Sequence, residues 1–133
     1  MARASGSFDV KMTPLAPDEN ARGSSIGRMV LDKEYNGDLA ASGKGQMLAH
    51  RTGVDTSAGY VALELVTGTL AGKKGSFVLQ HSGTMNRGAQ SLSVTVVPDS
   101  GTEQLSGLSG TLKILIENGK HAYEFDYVIE KIS

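Results

Sequence analysis

The stretch TLKILIENGKHAYEFD, residues 111–126, gives the clearest indication of the fold. Its centre, Asn118-Gly119, is a strong signal for a two-residue hairpin turn, because both turn positions need a positive φ. This turn pairs Lys113 with Glu124, which are opposite charges on one face. On the other face it pairs mostly apolar residues, namely Leu112 with Phe125, Ile114 with Tyr123 and Ile116 with His121. Turn chemistry and side-chain pairing therefore predict one register for a β-hairpin.

The same alternation of apolar and polar residues extends outward over most of the chain. Glycine, 17 of 133 residues, recurs between the alternating segments, and Asn36-Gly37 is a second hairpin signal. Pro14–Arg22 is predicted to be a loop with at most one helical turn, over Pro17–Arg22. The predicted strands cover residues 7–12, 26–35, 39–50, 60–69, 75–83, 90–97, 111–117 and 121–131. This pattern predicts an all-β fold of about eight strands in an antiparallel closed barrel, with residues 1–133 as one domain.

Composition limits the classes of function. The chain is 39% hydrophobic with a formal net charge of -1, which is typical of a globular domain. Its basic residues are not clustered, so we expect neither a nucleic-acid partner nor a membrane surface. With 0 cysteines and no signal-peptide pattern in Met1–Gly6, we expect a cytoplasmic protein without disulfides. Three histidines and no cysteine give few metal ligands, so we expect no metal and no cofactor.

The fourth and fifth predicted strands carry apolar residues on both faces. In the fourth, Val61, Leu63 and Leu65 alternate with Ala62 and Val66. Strands that are apolar on both faces are usually buried on both, whereas only one face of a barrel strand meets the lumen. We therefore expect a homo-oligomer whose contact lies near these strands.

Glu64 interrupts one apolar face of the fourth strand, where a carboxylate is costly unless it is paired or neutral. A hairpin loop centred on Gly72-Lys73 would place Glu64 opposite His81, with Tyr60 on the same face. Glu64, His81 and Tyr60 are therefore candidate catalytic residues of an acid–base site. The alternative is a structural polar contact, and a register shifted by one residue would remove the pair altogether.

Apolar and aromatic residues near this pair are candidates for binding a ligand. They are Phe77 and Leu79 on the fifth strand, Tyr123, Phe125 and Tyr127 on the last strand, and Gln80 if the register is shifted. The alternative is that the tyrosines are core rings with their hydroxyl groups at the rim. His121 stands beside the Asn118-Gly119 turn and is expected to be solvated.

Three stretches resemble a bacterial family catalogued as domain of unknown function 3224. They are YVALELVTGTLAGKKGSFVLQHSGT (60–84), SGTL (109–112) and HAYEF (121–125). That family resembles the allene-oxide-cyclase-like barrels, which implies eight antiparallel strands around an apolar cavity, often in oligomers. Plant allene oxide cyclases are isomerases that bind an unsaturated epoxide fatty acid. Their activity is implied here only by analogy of fold, since no catalytic motif carries over.

Three functions are compatible with this pattern. The first is an enzyme of the isomerase or cyclase type, with Glu64 as base, His81 as its orienting or relaying group and Tyr60 as donor to a developing oxyanion. The second is a non-catalytic barrel that binds a small apolar molecule in its lumen. The third is a structural module that assembles into an oligomer.

Overall fold

The computed structural model describes residues 1–16 and 25–130, and these form eight antiparallel strands in a closed barrel. The strands are β1 (Ala2–Leu15), β2 (Ile26–Gly37), β3 (Leu39–Arg51), β4 (Ala58–Leu70), β5 (Lys73–Asn86), β6 (Ala89–Val96), β7 (Leu108–Glu117) and β8 (Lys120–Ile129). The predicted fold class is confirmed. The predicted helical turn over Pro17–Arg22 and the predicted strand end at Lys131 lie outside the described residues.

Each strand pairs with its neighbours in sequence, and β1 closes the barrel by pairing with β8 as far as Phe8 opposite His121. The first strand is longer than predicted and includes Pro14, which pairs with Met29 of β2. A proline lacks the N–H that a strand interior needs. Pro14 lies beyond Phe8, the last residue of β1 that pairs with β8. Its missing N–H therefore costs no hydrogen bond to β8.

The hairpin predicted from Asn118-Gly119 is confirmed, with Leu112 opposite Phe125 and Glu117 opposite Lys120. The turn predicted at Asn36-Gly37 is wrong. Both residues remain in β2, where they pair with β1, and the chain reverses around Asp38. The carboxylate of Asp38 accepts the N–H of Ser5 at 3.0 Å, so a contact with a distant strand overrides the local turn signal.

The β4–β5 turn is Ala71-Gly72, with φ of 50° and 84°. Glu64 therefore pairs with Leu79, and His81 pairs with Ala62. The predicted pairing of Glu64 directly opposite His81 is wrong by two residues, because the turn lies one residue earlier than assumed. Side chains alternate with a period of two, so Glu64 and His81 still point to the same face of the sheet.

One end of the lumen, called the closed end here, is filled with side chains. The rings of Phe77 and Phe125 stack with centroids 5.7 Å apart, and Leu105 from a 3-10 helix (Glu103–Leu105) joins the buried core there. The hydroxyl group of Tyr123 accepts the N–H of Leu39 at 2.9 Å and donates to the carbonyl of Asn36 at 2.9 Å. These two bonds join the β2–β3 connection to β8.

The outer face of β4 is apolar and open in this chain. Val61, Leu63 and Leu65 are 52%, 55% and 47% exposed. The strand therefore has apolar residues on both faces, and the described chain leaves its outer face uncovered. The homo-oligomer expected from this pattern stays a prediction. The part of the chain that the structure describes holds no helix long and apolar enough to cross a membrane.

We expect Tyr123→Phe to lower the free energy of unfolding by about 1–3 kcal/mol, because it leaves the buried N–H of Leu39 without its partner. Tyr127→Phe is the matched control, since among the described residues the hydroxyl group of Tyr127 has no hydrogen-bond partner. Urea unfolding of both variants is the measurement. Equal losses in the two variants would contradict the assigned role of the Tyr123 hydroxyl group.

Candidate functional site

A cavity of about 510 Å³ occupies the end of the lumen opposite the closed end. Its mouth lies where β3 ends at Arg51 and β4 begins at Ala58. The walls are mainly apolar and include four of the five methionines of the chain, Met12, Met29, Met47 and Met85. A volume in this range fits a small organic molecule.

Four side chains, called the floor cluster here, separate this cavity from the packed half of the lumen. Glu64 is 0% exposed, and its Oε1 accepts hydrogen bonds from Lys33 Nζ at 3.1 Å and from His81 Nε2 at 2.9 Å. Its Oε2 accepts the hydroxyl group of Tyr35 at 2.5 Å. Both carboxylate oxygens are therefore engaged by side chains of β2 and β5.

Three neighbouring strands make room for this cluster. Lys33 and Tyr35 lie two apart on β2, so they share the face that looks into the lumen. Gly43 pairs with Lys33 on one side and with Val66 on the other. A Cβ on Gly43 would collide with Oε2 of Glu64. Glycine at this position therefore lets the carboxylate lie against the backbone of β3.

The floor cluster keeps Glu64 ionised although it is buried. Burial alone would raise the pKa of Glu64, but the hydrogen bond from His81, the charge of Lys33 and the hydrogen bond from Tyr35 together lower it below its usual value. Burial and the adjacent Glu64 charge strongly raise the pKa of Tyr35. Tyr35 is therefore a neutral donor to an ionised acceptor.

The same charge fixes the orientation of His81. An ionised carboxylate only accepts hydrogen bonds, so Nε2 of His81 carries the hydrogen that Glu64 receives. Nδ1 has no hydrogen-bond partner among the residues that the structure describes. His81 lines the cavity, so Nδ1 is the ring nitrogen left for a molecule bound there.

Lys33 has unused donors as well. Its ammonium group lies 5.1 Å from the centroid of the Phe8 ring and 5.8 Å from that of Tyr35, which favours a cation at this position. An ammonium group has three donors, and one is given to Glu64. Lys33 also lines the cavity.

The structure brings together two of the three predicted catalytic residues and places the third nearby. Glu64 and His81 are in direct contact, while Tyr60 lines the cavity without a hydrogen bond to either. A Cβ on Gly83, opposite Tyr60 in β5, would collide with the Tyr60 ring. Gly83 thus leaves space for that ring inside the lumen.

All six predicted ligand-binding residues lie outside the lining of the cavity. Phe77, Leu79, Tyr123 and Phe125 are buried in the core of the closed end, and Tyr127 packs on Phe125 with ring centroids 5.3 Å apart. Gln80 is exposed on the outer face of β5. His121, expected to be solvated, is half-buried, lines the cavity and lies 5.2 Å from the Phe8 ring centroid.

Lys33 and Tyr35 were missed by the sequence analysis. Their signal is the alternation of Leu31, Lys33 and Tyr35 on β2, which puts a lysine on an otherwise apolar inner face. A buried lysine needs a partner, and Glu64 is the carboxylate on the inner face of β4. Within residues 1–16 and 25–130, no group of three or more His, Cys, Asp or Glu side chains is arranged to hold a metal ion.

The comparisons with known proteins agree with the barrel. The family model described as "Protein of unknown function (DUF3224)" matches residues 4–127. The chain is 49% identical to a DUF3224 protein of unknown function from Shewanella oneidensis MR-1, whose crystal structure superposes with a TM-score of 0.92 over 99% of both chains. No curated protein matches. The resemblance seen in residues 60–84 is confirmed, and the further likeness to allene oxide cyclases stays a prediction.

We expect Glu64→Gln to lower the free energy of unfolding by roughly 3–5 kcal/mol, because it leaves Lys33 buried without a counter-charge. Adding Lys33→Met to this variant is expected to recover part of the loss, since the double variant buries no unpaired charge. Urea unfolding of the single and double variants measures both effects. Strictly additive losses would contradict the assigned ion pair.

The floor cluster also predicts a pH dependence of stability. The pKa of Glu64 is lower in the folded chain than in the unfolded chain, so its contribution is fully present above the usual carboxyl value of 4.5. It is lost as the pH falls through the lower, folded pKa. We expect the wild type to lose more stability on acidification below this value than Glu64→Gln, as measured by unfolding at a series of pH values. Parallel pH profiles would contradict the lowered pKa of Glu64.

Proposed function

This chain belongs to the DUF3224 family, whose description names no activity, and we propose from its site that it binds a small molecule with an apolar body and a polar end. The molecule occupies the cavity, and its polar end meets Lys33 and His81. The two halves of the lumen are filled differently, and this difference supports the proposal.

The observation that carries this proposal is a lumen that is solid at one end and empty at the other. The chain supplies aromatic rings to fill the closed end. At the other end, the inward-facing residues leave about 510 Å³. Apolar side chains of this wall, such as Leu92 and Ile116, are exposed to solvent, and burying apolar surface against an apolar ligand is favourable.

The floor gives the ligand a direction. The methionine side chains of the wall are unbranched and adapt to irregular or aromatic shapes. At the floor, Lys33 offers N–H donors and His81 offers the lone pair of Nδ1. A carbonyl or hydroxyl group at one end of an apolar molecule satisfies these groups, whereas a wholly apolar molecule leaves them unpaired.

Binding of the neutral fluorescent probe N-phenyl-1-naphthylamine tests this proposal. Ala49 lines the cavity, and Ala49→Phe is expected to weaken binding at least about tenfold, or 1.4 kcal/mol, by occupying the space. Leu48→Phe is the matched control, since Leu48 is the preceding residue of β3 and is 45% exposed on the outer face. Fluorescence titration measures both, with circular dichroism to confirm the fold. Binding that is lost in Leu48→Phe but kept in Ala49→Phe would place the probe outside the barrel.

The geometry of His81 favours a second candidate, an isomerase that moves a proton next to a carbonyl group. In an oriented general base, a carboxylate holds one ring nitrogen of a histidine and the other nitrogen meets the substrate. Here Nε2 of His81 bonds to Glu64, and Nδ1 is the nitrogen left for a molecule in the cavity. Glu64 itself is 0% exposed with both oxygens engaged. We therefore propose His81 as the base and Glu64 as the group that positions it, in place of the reverse assignment made from the sequence.

A β,γ-unsaturated ketone is a substrate that such a base would isomerise. Nδ1 of His81 takes a proton from the carbon between the carbonyl and the double bond. The electron pair of that C–H bond forms a double bond to the carbonyl carbon, and the π pair of the carbonyl moves onto its oxygen. Lys33, or Tyr60 on the cavity wall, donates a hydrogen bond to the resulting enolate oxygen. His81 then returns the proton to the γ-carbon, which gives the conjugated isomer and restores the neutral ring.

Isomerisation of cyclohex-3-enone to cyclohex-2-enone, followed by ultraviolet absorbance, tests this second candidate. His81→Asn is expected to lower the rate by about 100-fold or more, the usual contribution of a general base. Gln80→Ala is the control, because Gln80 is the preceding residue of β5 and lies on the outer face. A wild-type rate no faster than buffer, or equal rates in wild type and His81→Asn, would exclude this reaction.

A further inference from the structure

The cavity is lined by basic groups and by every histidine of the chain. The described residues that border it include no Asp or Glu, whereas its basic members are Lys33, His50, Arg51, His81 and His121, with all three histidines of the sequence among them. Glu64 belongs to the floor cluster but does not itself border the cavity. Because the whole chain carries a formal net charge of -1, this distribution of charge is local to the cavity.

Arg51 is the cation at the mouth. It is the last residue of β3 and lies opposite Ala58, the first residue of β4. Its guanidinium group is exposed and forms no ion pair with the residues that the structure describes. Arg3, on the outside of the barrel, differs from it in bonding to Asp126 at 2.7 Å and to Glu124 at 3.1 Å. Arg51 is therefore open to a charged partner that is not part of the described chain.

The floor and the mouth differ in net charge. At the floor, the charge of Lys33 is balanced by ionised Glu64, whose Oε1 is 3.1 Å from Nζ. An acidic group placed there would approach Glu64 and gain little. At the mouth, Arg51 forms no ion pair with a described carboxylate, and Asp55 of the β3–β4 connection does not border the cavity. A charged head group is therefore favoured at the mouth, and a neutral polar group is favoured at the floor.

We propose that the natural ligand class of this cavity is a carboxylic acid with an apolar, aromatic or alicyclic body. The carboxylate lies at the mouth beside Arg51, and the body extends along the methionine side chains toward Lys33 and His81. This inference rests on the proposed function, since it assigns the charge and the direction of the molecule bound in the same cavity. Guanidinium groups bind carboxylates through paired hydrogen bonds.

The test compares two probes of nearly equal shape, 1-naphthylacetate and the neutral 1-naphthylacetamide. Isothermal titration calorimetry with the wild-type protein is expected to show the acetate binding roughly three- to tenfold tighter than the acetamide. The preference is expected to shrink as sodium chloride is raised, because the salt screens exposed charges.

Arg51→Gln is expected to remove the preference, because it weakens binding of the acetate several-fold more than binding of the acetamide. Lys73→Gln is the matched control, because Lys73 is exposed in the first position of β5, near the closed end, and its replacement removes the same unit charge. A preference for the acetate that persists in Lys73→Gln and disappears in Arg51→Gln supports the inference.

Two results overturn it, and they are distinguishable. If the wild type binds both probes equally, or if Arg51→Gln keeps the preference for the acetate, the assignment of a carboxylate at the mouth is wrong while the cavity still binds ligands. If the wild type binds neither probe, the proposed binding function fails together with it.

Discussion

The carboxylate of Glu64 carries its charge where the structure leaves it no exposed surface, so the protein itself must balance that charge. Moving an ion out of water costs several kcal/mol even after the surroundings relax. Lys33 supplies the opposite charge, while His81 and Tyr35 supply further hydrogen bonds. The partners of this charge come from β2 and β5, and Gly43 of β3 leaves space for the carboxylate.

The same requirement divides the barrel. Charged and hydrogen-bonded groups are costly inside an apolar core. The aromatic packing of the closed end therefore reaches as far as Tyr35, where the floor cluster begins. The Tyr35 ring lies 5.7 Å from Tyr123 on the packed side, and its hydroxyl group reaches Glu64 on the other. On the cavity side, Lys33 and Phe8 begin a lumen that the chain leaves open. Tyr35 thus belongs to the core and to the floor cluster at once.

Local patterns predicted much of the fold and less of the site. The turn at Asn118-Gly119 and the alternation of apolar and polar residues over most of the chain were sufficient to predict the barrel, because each depends on neighbouring residues only. The turn at Asn36-Gly37 was predicted wrongly, because this segment also contacts Ser5 and Tyr123, which are distant in sequence. Glu64 and His81 were found because a two-residue error in register preserves the face. Lys33 was missed because its partner lies on a strand that does not adjoin its own.

The floor cluster buries charged groups at the boundary of the core, which costs stability. Replacing a buried ion pair by apolar residues of similar volume is often neutral or stabilising, and the stacked rings of Phe77 and Phe125 show that this chain can fill a lumen with apolar groups. Stability alone therefore does not account for a lysine, a glutamate and a histidine at this level. Nδ1 of His81 and two donors of Lys33 have no hydrogen-bond partner among the described residues, and both residues line the cavity. This is the reason for assigning the function to the cavity, with the ion pair as the support that holds those two groups in place.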